Sequence, residues 1–115
     1  MKPILITLLF LMNVAFASAQ KKTAQEKFDK DLKSKYITLY ILGGIASRHY
    51  PGDTDFQTNY KLHYHDFGCL APIDLTFYKD YNILVLNHLK NTFGTEWQKD
   101  IRKDILGWEE WQKKN

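Results

Sequence analysis

The chain holds a single cysteine, so no internal disulfide can brace it and the fold must hold by packing alone. An excess of one charge is also missing. Sixteen Lys and Arg stand against thirteen Asp and Glu, and nucleic acid is excluded as an expected partner because its recognition needs a concentrated basic surface. Internal repeats, low-complexity tracts, linkers and any motif that names a reaction are absent. Long apolar runs are scarce. The one candidate, Ile4 to Phe16, covers about 13 residues and includes Thr7 and Asn13, whereas a membrane span needs roughly 20 predominantly apolar residues. No membrane span is expected.

What is present begins with that short run. It follows Lys2 and precedes Ala17-Ser18-Ala19, the order of a secretory signal peptide with its cut between Ala19 and Gln20. The expectation is a leader over 1–19 and one small soluble domain over 20–115, periplasmic or secreted, from a bacterial source. Loss of Lys2 with the leader lowers the formal net charge from +3 to +2. The lysines at 21, 22, 27, 30, 33 and 35 are interleaved with Glu26, Asp29 and Asp31, which reads as a solvated helix face.

Periodicity gives the elements. Ala24, Phe28 and Leu32 recur every four positions and predict a helix over 23–35. Tyr36 to Leu42, β-branched and aromatic, predicts an internal strand closed by Gly43-Gly44. Pro51-Gly52-Asp53 is a turn signal, and Asp53 or Thr54 is expected to cap a short helix ending at Tyr60. A second strand follows, with Tyr60, Leu62, Tyr64 and Asp66 facing inward and His63 and His65 outward. Asp74 caps a long helix to Phe93, stopped by Gly94, with Ile83 and Leu86 off its main stripe. Thr95-Glu96-Trp97-Gln98 reads as a capping box opening a last helix with Trp97, Ile101 and Ile105 inward. Trp108 and Trp111 sit in a polar tail. The fold class is α/β or α+β: about two strands, pairing in parallel through a helical crossover, packed against three to four helices. Two strands make a weak sheet, and dimerisation through a strand edge would strengthen it.

The chemistry concentrates in His63-Tyr64-His65-Asp66-Phe67-Gly68-Cys69. His63 and His65 share one strand face with Cα atoms about 6.6 Å apart, so one zinc or copper ion could take both, with His49 as a third ligand. Cys69 lies about 13 Å along an ideal strand and joins them only if the chain bends at Gly68. As a nucleophile it needs a base from elsewhere, such as His49 or His88. The expected state of Cys69 is a packed thiol. For His88, on the apolar face of the long helix, a core residue satisfied by a carbonyl or by Asp66 is expected. Trp108 and Trp111, beyond a helix break and beside charges, are the candidate partner-binding surface.

Gly43-Gly44-Ile45, Asp66-Phe67-Gly68-Cys69 with Pro72, Tyr81-Asn82, and Phe93-Gly94 with Trp97, Ile101-Arg102 and Asp104 together resemble small exported bacterial proteins of uncharacterised function. The resemblance implies a compact exported domain and no activity. The expected function is binding of another protein, as an interaction, inhibitor or immunity-type partner, with no cofactor. The alternatives are a periplasmic metal-binding protein using His63 and His65, and a thiol enzyme centred on Cys69.

Overall fold

The computed structural model describes residues 23–43 and 50–115. Its order is α1 (Ala24–Ser34), β1 (Ile37–Ile41), α2 (Asp53–Tyr60), β2 (Leu62–Asp66), α3 (Leu75–Phe93), a 3₁₀ turn (Glu96–Lys99) and α4 (Trp108–Lys114). The described residues form one small α/β domain, two parallel strands with four helices, as the periodicities predict. None of their helices is long and apolar enough to cross a membrane. The expected leader over 1–19 and the candidate ligand His49 lie outside the described residues.

Helix α1 starts where Thr23 Oγ1 accepts from the Glu26 amide at 3.1 Å, which satisfies one of the amides that a helix start leaves unpaired. It buries Phe28. β1 is buried at all five positions, an unusual state for one strand of a two-stranded sheet. One edge pairs in parallel with β2, from Ile37 opposite Leu62 to Ile41 opposite Asp66. The other edge is closed by side chains and a single bridge. Asn82 of α3 accepts from the Tyr40 amide at 2.9 Å and donates to the Tyr40 carbonyl at 2.8 Å and the Leu106 carbonyl at 2.9 Å. The Leu106 amide also donates to Tyr40 O, and Ile41 bridges Ile105 in antiparallel sense. A buried carboxamide thus does the work of a third strand, because buried backbone groups must find partners.

Tyr81, the neighbour of Asn82, ties the same strand to α1. Its hydroxyl donates to Asp31 Oδ2 at 2.6 Å and accepts from the Thr38 amide at 3.4 Å, while Lys27 reaches Asp31 at 2.7 Å. Burial pushes the Tyr81 phenol well above its usual range, so it stays a donor. α3 begins as expected, with Asp74 accepting from the Phe77 amide at 3.1 Å, and ends at Gly94, whose φ of 80° favours glycine. Leu86, off the main stripe, is fully buried beside Val85 and Leu89. The long helix is therefore covered on more than one side.

Three expectations change. The start of α2 uses neither Asp53 nor Thr54 as a side-chain cap: Gly52 holds that position at φ 92°, and Asp53 turns back to accept from the Tyr50 amide at 3.1 Å. The capping box at Thr95 does not form, and only a 3₁₀ turn follows. Trp97, Ile101 and Ile105 are buried all the same, but Ile105 bridges Ile41, which requires extended chain rather than helix. Finally, the tail is a helix turned inward. Trp108 and Trp111 are 5% and 2% exposed, stacked at 5.8 Å, with Trp97 5.5 Å from Trp111. The Trp111 indole donates to Asn87 Oδ1 at 2.8 Å. These tryptophans are core, and the contact surface assigned to them is not there.

Candidate site at the carboxyl end of the sheet

Parallel strands deliver their carboxyl ends to one side, the side on which open α/β sheets place ligand-contacting loops. Here Ile41 ends β1 opposite Asp66 at the end of β2, and the Phe67 amide donates to the Ile41 carbonyl at 3.0 Å. Gly43 consequently meets Asp66. The approach is close: a Cβ on residue 43 would stand 2.0 Å from Asp66 Oδ1. Only glycine fits there.

Asp66 Oδ1 accepts from the Gly68 amide at 2.7 Å, and Gly68 takes a left-handed φ of 66°. That turn lifts the chain off the sheet. Cys69 is exposed as a result, not packed as its short side chain between Gly68 and Leu70 suggests. Beyond it Leu70 is 79% exposed and Ile73 fully so, and Leu42 and Leu75 are also open to solvent. The segment is exposed and, Asp74 apart, apolar. It is tied at one end by the Asp66–Gly68 bond and at the other by the Asp74 cap of α3.

The histidines fall elsewhere. His63 and His65 face outward on β2 as expected, His63 stacked on Tyr36 with centroids 4.3 Å apart, His65 edge-on to Phe67 at 4.9 Å and to Tyr40 at 5.7 Å. Among the described residues no group of three or more His, Cys, Asp or Glu side chains gathers where it could hold a metal ion. His88 rests against the Phe28 ring at 6.0 Å with Thr92 Oγ1 3.4 Å from its Nδ1. Burial lowers its pKa. Its partner is not Asp66, which is engaged with Gly68. Cys69 is hydrogen-bonded to no histidine among the described residues.

A second buried hub was hidden in the sequence. Arg102, its side chain 8% exposed, pairs with Asp104 at 2.7 Å and with Asp53 at 3.4 Å. Tyr50 lies over its guanidinium at 4.6 Å, and its amide donates to the Tyr64 hydroxyl at 3.1 Å. The Asp104 carboxylate raises the Arg102 pKa further, and burial raises that of the Tyr64 phenol. This cluster fastens the start of α2 to the chain before α4, and its charges are spent on one another. Spacing offered no sign of it, since Asp53 and Arg102 are far apart in the chain.

No family model, curated protein or solved structure matches this chain.

Proposed function

We propose that this is a small exported domain that works by binding another protein, and that the surface it uses is the exposed apolar segment Leu70–Leu75 at the carboxyl end of the sheet, the end at which Leu42 is also exposed. The observation that carries the reading is Ile73: a fully exposed isoleucine three residues from a mostly exposed leucine, in a molecule that buries all three tryptophans. Exposed apolar surface of this kind marks contact sites. Because the segment is anchored at both ends, little ordering entropy opposes its capture. An exposed apolar loop of this kind suits an apolar partner site, as in an inhibitor or immunity-type complex. Near-balanced charge favours a protein partner over nucleic acid.

The exposed thiol supplies the test. A photoreactive maleimide attached to Cys69 and irradiated in the exported fraction of the source organism should give one defined protein adduct, and Leu70→Asp with Ile73→Asp should abolish it. An adduct of twice the chain mass would identify a homodimer as the complex. Absence of any defined adduct, or equal adducts from wild type and variant, would overturn the reading.

A further inference from the structure

At the opposite, amino end of the sheet lies a cleft of about 350 Å³ lined by Lys35, Thr54, Gln57, Thr58, Lys61, Leu62 and His63. Lys35 and Lys61 precede the two strands, each as the C-cap of a helix, with φ of 58° and 56°. They are the only non-glycine residues at positive φ among those described, and both line this one cleft. Left-handed backbone is uncommon for lysine, and here each position is fixed by cap bonds: Lys35 donates its amide to Asp31 O and Leu32 O, Lys61 to Gln57 O. The parallel pairing of Ile37 with Leu62 brings both lysines to the amino end of the sheet, Lys61 one residue and Lys35 two residues before the paired positions.

The lining contains two ammonium groups, an imidazole and two threonine hydroxyls, and no carboxylate. The Gln57 side chain is already occupied, donating to Asp53 O at 3.1 Å and accepting from the Tyr64 amide at 2.9 Å. The Thr58 hydroxyl is likewise spent, donating its hydrogen to Thr54 O at 2.9 Å, so the donors left to the cleft are the two lysines, His63 and the Thr54 hydroxyl. What remains is a donor set for an oxyanion. Next to it Tyr36, 58% exposed, stacks on His63 and presents a flat ring on which a sugar or similar ring can lie, much as aromatic faces carry amphipathic ligands elsewhere.

We infer that this cleft binds a phosphate monoester of a sugar, the phosphate held between Lys35 and Lys61 with His63 beside it and the sugar ring against Tyr36. The site is independent of the protein-binding surface, which lies at the other end of the strands. Titration calorimetry on the purified protein with glucose 6-phosphate, inorganic phosphate and glucose separates the contributions. Glucose 6-phosphate should bind more tightly than inorganic phosphate, and glucose alone should give no heat.

Lys35→Asn with Lys61→Asn removes both charges while keeping a residue that tolerates the left-handed region. It should weaken glucose 6-phosphate binding by about tenfold or more, since two charge-assisted bonds are lost, with circular dichroism unchanged. Lys90→Asn, on the exposed side of α3, serves as the control and should bind as wild type does. No heat with glucose 6-phosphate, equal binding by the double variant, or loss of binding in the Lys90 control as well would overturn the assignment. Equal affinity for inorganic phosphate would overturn the role given to Tyr36.

Discussion

The two ends of the sheet are built by the same device and finished in opposite ways. At the amino end each strand is entered from a helix through one left-handed lysine, and the core begins at Leu62 directly after Lys61 and at Ile37 one residue after the exposed Tyr36. At the carboxyl end the strands leave through Gly43 and Gly68, and the apolar residues beside them, Leu42, Leu70, Ile73 and Leu75, are outside. Burial explains neither set. What the difference teaches is that the interior is complete without either end: Asn82 and Tyr81 satisfy β1 from α3, so neither strand end is needed to close the core.

That division can be broken first from the inside. Trp97→Ala should cost about 3–5 kcal/mol in urea unfolding, since the side chain is fully buried against two other indoles. Loss of under about 1 kcal/mol would show that the tryptophan cluster is not core. Asn82→Leu, nearly the same in size, should cost about 1–3 kcal/mol by leaving the Tyr40 amide without its acceptor. An unchanged denaturation midpoint would remove Asn82 from its role as a surrogate strand. Gly43→Ala should follow at about 1–3 kcal/mol, because the new methyl group must displace the Asp66 carboxylate. Its neutrality would show the carboxyl end to be looser than the Asp66–Gly68 turn implies.

The comparison sharpens with the changes expected to do least to the fold. Leu70→Asp and Ile73→Asp should leave stability within about 0.5 kcal/mol while removing protein binding, a separation that no core residue can show. A matching loss of thermal stability would place those side chains in the core instead. His88 gives the smallest effect. Burial lowers its pKa below the ordinary 6.5, so the unfolded chain takes up the proton more readily than the folded one. The stability tied to neutral His88 is then complete above that ordinary value and is lost as the pH falls through it toward the lower folded value. His88→Gln should flatten the stability profile where the pH falls through the ordinary histidine value, and an unaltered slope would contradict the burial argument.

Much of the fold was legible because periodicity reports burial. The stripe through Phe28, the double-sided strand at Ile37–Ile41, the outward histidines and the Asp74 cap are local patterns, and local physics decides them. The last quarter of the chain was misread for a reason that pattern cannot supply: Ile105 answers to Ile41, so inward spacing at Trp97, Ile101 and Ile105 came from a bridge and a turn rather than a helix. The tryptophans at 108 and 111 were placed outside because charges surround them in sequence, although those charges occupy the opposite face of α4. The carboxyl-end surface was half visible. Gly43, Asp66, Gly68, Cys69 and Pro72 drew attention as residues, but that Asp66 fills the place of a Cβ at 43, and that the turn at Gly68 exposes Cys69, depends on two strands meeting.

The most direct test of the account is the rate at which Cys69 is alkylated by iodoacetamide in the folded protein, compared with the rate in denaturant. The account predicts similar rates in the two conditions, and slowing of the folded-state rate when the cross-linked partner is added. A thiol that resists alkylation until the chain is unfolded would contradict it, because the carboxyl end of the sheet would then be closed.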